Sequence, residues 1–128
     1  MKGSVLLIED NEQNCYLVCF LLERAGYTVI VAHDGHQGLA RALDVRPDLI
    51  LLDIQLPAMD GYAVAAALRQ LPQMQGTPII AVTSYAMAGD REKALAAGCT
   101  GYLEKPIDPD QFVDQIEALA GSASGAAP

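Results

Sequence analysis

The sequence predicts a single α/β domain: a parallel sheet with helices packed on both faces. Three observations carry this. Short apolar runs alternate with helical patterns in the order βαβαβαβαβα, which favours a parallel sheet. The first run, "VLLI" at 5–8, is apolar throughout and reads as a strand covered on both sides. The length, 128 residues, suits one ordinary domain and is too short for two.

Each element has a local reason. Val5 to Ile8 is the first strand. Asn11 to Ala25 follows with helical spacing, Cys15, Val18, Cys19, Leu22 and Ala25 forming one stripe, and Gly26 stops it. Thr28 to Ala32 is β-branched and apolar, a second strand. Asp34-Gly35 opens a second helix to Leu43, with Leu39, Ala40 and Leu43 expected to face inward. Leu49 to Asp53 is the third strand. Asp60 caps a third helix through Ala63, Val64, Ala67, Leu68 and Leu71. Pro78 to Val82 is the fourth strand, Asp90 to Ala97 a helix stopped by Gly98, and Gly101 to Glu104 a short fifth strand. The last helix starts with Asp108 as cap, Pro109 at its first position and Gln111 three after the cap, and buries Phe112, Ile116 and Leu119. The small-residue run "GSASGAAP" predicts a disordered tail, 121–128, after a domain spanning 1–120.

Charge and cysteine usage narrow the function. Sixteen acids against eight Lys and Arg give a formal charge of −8, which argues against a direct nucleic-acid surface. Cys15, Cys19 and Cys99 form no CxxC pair and fit a reducing compartment. The longest apolar stretch, Tyr16 to Leu22, falls short of the ~20 residues a spanning helix needs. "VLLI" is too short for a signal peptide and runs straight into Glu9 and Asp10. These features predict a soluble cytoplasmic protein without membrane insertion.

In a parallel sheet ligands bind at the carboxyl ends of the strands. Those ends carry Glu9 and Asp10 on the first strand, Asp53 on the third, Thr83 and Ser84 on the fourth, and Lys105 on the fifth. Folding gathers three carboxylates, hydroxyls and an ammonium at one edge. Two carboxylates ~5 Å apart repel by about 3 kcal/mol at an effective dielectric of ~20. Three together must protonate, distort or recruit a cation, and all-oxygen ligation suits Mg²⁺. Asp53, at the end of a buried run, then reads as a nucleophile that forms an aspartyl-phosphate, with Lys105, Thr83 and the Ser84 N–H contacting the phosphoryl oxygens. Singly, each residue has a plainer role: a helix cap for Asp10 or Asn11, a solvated strand end for Asp53, a surface cation for Lys105. Their joint placement is what points to chemistry.

The segments "VLLIEDNEQN", "PDLILLDIQLPAMDG", "PIIAVTSYAMAGD" and "AGCTGYLEKPID" resemble the receiver domain of two-component response regulators, of the single-domain CheY and DivK type. The resemblance covers 5 to about 118. It implies the flavodoxin-like, doubly wound strand order 2-1-3-4-5 with five flanking helices. It implies that Glu9, Asp10, Asp53 and the backbone carbonyl of Gln55 hold Mg²⁺ or Mn²⁺, and that Asp53 accepts the phosphoryl group. It makes Thr83 and Tyr102 the switch pair and implies a cis bond between Lys105 and Pro106. Gln55 and Tyr85 match positions that tune water access, and their size implies a shielded, longer-lived acyl phosphate. The partners implied are a histidine kinase or histidine phosphotransfer protein, a downstream protein target, and a second copy of the phosphorylated chain. The domain would act as a switch with slow autophosphatase chemistry, re-presenting its fourth helix, fifth strand and fifth helix. Two alternatives stand beside this: a receiver belonging to a hybrid histidine kinase or multidomain regulator, and an aspartate-nucleophile phosphohydrolase. Against the hydrolase, Gln55 occupies the place where such enzymes commonly carry a second acid. A flavodoxin-like cofactor binder is disfavoured because "EDNEQN" lacks phosphate-cradling glycines.

Overall fold

The computed structural model describes residues 3–56, 59–84 and 88–124. Five strands and five α-helices alternate: β1 (Gly3–Ile8), α1 (Glu12–Arg24), β2 (Tyr27–Ala32), α2 (Gly35–Val45), β3 (Leu49–Asp53), α3 (Gly61–Gln70), β4 (Ile79–Thr83), α4 (Asp90–Ala96), β5 (Gly101–Glu104) and α5 (Phe112–Ser124). A 3₁₀ turn at Pro72–Met74, which the sequence reading lacks, follows α3. The sheet is wholly parallel in the order β2-β1-β3-β4-β5. The expected fold is the observed one.

Period-two alternation splits the core into two layers. Leu6, Ile8, Ile50, Leu52, Ile79 and Ala81 face α2, α3 and α4, packing with Ala42, Leu68 and Ala94. Val5, Leu7, Leu49, Leu51 and Ile80 face α1 and α5, packing with Val18, Leu22, Phe112 and Ile116. Both faces of β1, β3 and β4 are therefore dry, which is why these strands read as unbroken apolar runs.

The buried face of α2 differs from the Leu39, Ala40 and Leu43 face that its spacing predicts. Gly35, Gly38 and Ala42 are its buried positions, Leu39 is half-buried, and Ala40 and Leu43 face out. The reason is proximity. A Cβ on Gly38 would lie 2.5 Å from Ile8 Cδ1, and one on Gly35 2.6 Å from Val64 Cγ2. The helix sits so close to β1 at Gly38 and to α3 at Gly35 that its glycines, not its leucines, make the contact.

Helix ends follow expectation at Asn11, Asp34 and Asp60, whose side chains accept backbone N–H bonds from Asn14, Gln37 and Tyr62. At α5 the cap lies further out. Asp108 takes the N–H of Asp110 on its side chain, and its carbonyl accepts from Gln111 and Phe112, forming a turn before the helix begins at Phe112. The helix continues to Ser124, so 121–124 of the expected tail are helical, while 125–128 lie outside the described residues.

Candidate functional site at the carboxyl edge of the sheet

Alternation also decides which face each strand-end residue takes. Val5 and Leu7 lie on the α1/α5 face, so Glu9, next in that series, does too. Leu49 and Leu51 carry Asp53 to the same face. A largely apolar cavity of about 110 Å³ opens there beside Glu9, Asp53 and Lys105, with Leu7, Leu51 and Phe112 in its wall. Among the described residues, the buried polar and charged side chains are Glu9, Asp53 and Thr83, at 3, 4 and 2 % exposure. Every one belongs to this edge.

Asp10 is exposed and adds the third carboxylate. An oxygen from each of Glu9, Asp10 and Asp53 lies within 4.8 Å of the others. The α1 cap is Asn11, so Asp10 does not serve that purpose. Asn11 also braces the cluster, because its N–H donates to Glu9 Oε2 at 3.2 Å. Its sequence context predicts only the cap, since a two-residue backbone turn leaves no compositional mark.

Lys105 enters from the β5–α5 connection. Its peptide bond to Pro106 is cis, as the resemblance implied, and its own N–H donates to the Thr83 carbonyl at 2.7 Å. Its Nζ donates to Glu9 Oε1 at 2.8 Å and to Asp53 Oδ2 at 3.4 Å. Asp53 Oδ1 accepts the Gln55 N–H at 2.9 Å.

One ammonium does not balance three carboxylates. Burial, and then the hydrogen bond and charge of Glu9, push the Asp53 carboxyl up to about 7, although the Gln55 N–H and Lys105 pull the other way. For Lys105, burial disfavours the ammonium, but the Glu9 hydrogen bond and the charges of Asp53 and Glu9 outweigh it and raise its pKa. Cys15, a neighbour the sequence reading assigned only to packing, donates its thiol to the Glu9 carbonyl at 3.4 Å. Burial, with Glu9 next, pushes that thiol up to about 11, which keeps it protonated and chemically quiet.

Thr83 and Tyr102 share the opposite face. Ala81 and Tyr102 both pack with the α2/α3/α4 layer, and Thr83 is two residues beyond Ala81. The Tyr102 hydroxyl is buried without a hydrogen-bond partner among the described residues. Leaving such a group unsatisfied costs about 1–3 kcal/mol. Ser84 is exposed, and its N–H donates to Gln55 Oε1 at 3.2 Å. The structure thus brings together Glu9, Asp10, Asp53, Lys105 and Gln55, with Ser84 tied to Gln55. It holds Thr83 at the end of the adjacent strand. Tyr85 lies outside the described residues.

A parallel five-stranded fold with this acidic edge and a lysine across it defines a class. The model of the response regulator receiver domain matches residues 5–117, and the chain belongs to that family. Among its relatives is the polar-differentiation response regulator DivK of Brucella anthropi, 42 % identical over 123 residues, covering 96 % of this chain and all of that one. Among solved structures, chemotaxis protein CheY4 of Vibrio cholerae superposes with a TM-score of 0.88 at 31 % identity, covering 93 % of this chain and 99 % of that one. The receiver domain of sensor histidine kinase PA1611 from Pseudomonas aeruginosa, solved with a magnesium ion coordinated in its active-site cleft, gives 0.85 at 36 % identity, covering 94 % and 99 %. No helix among the described residues is long and apolar enough to cross a membrane.

Proposed function

We propose that this receiver accepts a phosphoryl group on Asp53 from a histidine kinase or histidine phosphotransfer protein and uses it to switch a protein-binding surface. The observation that carries this reading is the Lys105 ammonium spanning Glu9 and Asp53 inside a three-carboxylate cluster. Asp53 Oδ1 is held by the Gln55 N–H, which aims Oδ2 as the attacking oxygen. Its lone pair forms the new P–O bond while the donor's P–N bond breaks, the bonding pair stays on the departing imidazole nitrogen, and solvent supplies any proton that nitrogen takes up. The ionised carboxylate is the nucleophile, so no general base is required, and a bound divalent cation would favour that ionised form over the acid.

The donor set fits a hard divalent cation: all oxygen, three carboxyl groups against the single Lys105 ammonium, and open to solvent at Asp10. Glu9, Asp10, Asp53 and the Gln55 carbonyl would hold Mg²⁺, which when bound offsets charge on the incoming phosphoryl group. Mn²⁺ suits the same ligands. Lys105 contacts one phosphoryl oxygen, and Thr83 and the Ser84 N–H contact the others.

Once Asp53 is modified, Thr83 is drawn toward it and vacates space on the face it shares with Tyr102. The unsatisfied Tyr102 hydroxyl favours a second arrangement, and the surface of α4, β5 and α5 is re-presented to a downstream target or a second copy. The likeness to a histidine-kinase receiver supports a second reading, in which the same chemistry serves a larger kinase or regulator.

Intact mass after incubation with acetyl phosphate tests the reading. The native protein should gain one phosphoryl group only with Mg²⁺, and Asp53→Ala should gain none. Equal gain in the variant would remove Asp53 from its role.

A further inference from the structure

Gln55 does something the receiver reading does not require. In a regular parallel ladder, a residue whose N–H donates to Val82 O returns its own carbonyl to the N–H two residues further along the partner strand. Ile54 N–H donates to Val82 O at 3.1 Å, so its carbonyl would meet the Ser84 N–H. It does not. The Ile54 carbonyl accepts from Gly61 N–H at 3.1 Å instead, and the Ser84 N–H turns to the Gln55 side-chain oxygen. The ladder between β3 and β4 is broken one residue past Asp53, and a neutral side chain fills the break.

We propose that the Gln55 side chain is a resting-state stand-in for the phosphoryl group, holding the Ser84 N–H until Asp53 is modified and then yielding it. The inference rests on the receiver reading above and makes Gln55 a positioning residue within it. Three features support it. The bond is long, 3.2 Å, and lies in an exposed position, so it is readily exchanged. Its acceptor is a neutral amide, whereas a phosphoryl oxygen is charged and forms a hydrogen bond roughly twice as strong. The backbone N–H of the same residue grips Asp53 Oδ1, so modification of the carboxyl is felt directly at Gln55. Gln55 thereby links the β3–α3 and β4–α4 connections in the resting state, and the exchange of one acceptor for another releases that link. No covalent bond changes in this step.

The consequence is an energetic threshold. While Gln55 holds the amide, any phosphoryl-like ligand must displace it, so removing the acceptor should favour the modified state. Gln55→Met keeps the chain length without the acceptor, and Gln55→Ala removes both length and acceptor. Beryllofluoride with Mg²⁺ serves as the probe, titrated into native protein and both variants, with the Ser84 amide followed by ¹⁵N–¹H correlation spectra. Both variants should bind beryllofluoride roughly two- to tenfold more tightly, the range for one neutral hydrogen bond. The Ser84 resonance should differ from native in the resting variants and converge with it once beryllofluoride is bound. A gain confined to Gln55→Ala would mean that bulk, not the hydrogen bond, sets the threshold, and would overturn the inference. So would unchanged affinity in both variants of a native protein that binds the probe well. Native protein that neither binds beryllofluoride nor gains mass with acetyl phosphate would overturn the receiver reading together with it.

Discussion

Replacing Asp53 by Asn should stabilise the metal-free protein, and by more as the pH rises. The Asp53 carboxyl is buried to 4 % exposure and its pKa is raised to about 7, chiefly by burial and by Glu9. In the unfolded chain it titrates near 4. A raised carboxyl contributes stability below the unfolded value, and that contribution is lost as the pH climbs through the folded one. Roughly three pK units at about 1.4 kcal/mol each give about 4 kcal/mol of strain in the ionised native state at pH 8. Asn has the same shape and no charge. It surrenders the 3.4 Å contact with Lys105, but Lys105 retains Glu9 at 2.8 Å. The net gain at about pH 8 should be about 2–4 kcal/mol, shrinking to about 1 kcal/mol or less near pH 4.5. Urea unfolding followed by far-ultraviolet circular dichroism in EDTA measures it, as the difference between native and variant at each pH. A variant no more stable than native at pH 8, or an advantage constant across the range, would refute the view that Asp53 is a strained, buried carboxylate.

Two further predictions concern how the site is held. A Cβ at Gly61 would lie 2.4 Å from Ile54 Cα and 2.6 Å from its carbonyl oxygen, both backbone atoms. Gly61→Ala should therefore cost about 2–4 kcal/mol, read as a lower urea midpoint, because the chain after Asp53 must shift to admit it. Arg69 gathers loop carbonyls, donating from Nη1 to Met74 at 2.6 Å and Thr77 at 2.9 Å and from Nη2 to Gly98 at 2.7 Å. Arg69→Met keeps the stem and removes these donors, so it should destabilise by about 2–3 kcal/mol in thermal unfolding. An unchanged midpoint would mean that solvent satisfies those carbonyls as well as the guanidinium does.

The sequence by itself determined most of the architecture and the membership of the site. Unbroken apolar runs of four or five residues, too short for a helix and alternating with helical patterns, read as parallel strands dry on both faces. Asp53 at the end of such a run, with Glu9, Asp10, Thr83 and Lys105 at the other strand ends, already named the edge where these groups meet. Topology then needed no more than adjacency. Tertiary structure decided what depends on distance. How close α2 comes to β1 and to α3 turned Gly38 and Gly35 into its packing face and left Leu43 outside, a choice that helical periodicity cannot make because it carries no interaxial distance. The raised Asp53 carboxyl depends on Glu9 and a lone Lys105 meeting it across β1 and β5 in an apolar surround, and no single strand holds that information. The Gln55 bond to Ser84 depends on where the β3–β4 ladder fails, and that was fixed by Gly61 drawing the Ile54 carbonyl away. Residue type and spacing specify which groups arrive at an edge. Packing alone sets how far apart they stop, and hydrogen bonding and charge respond to that distance.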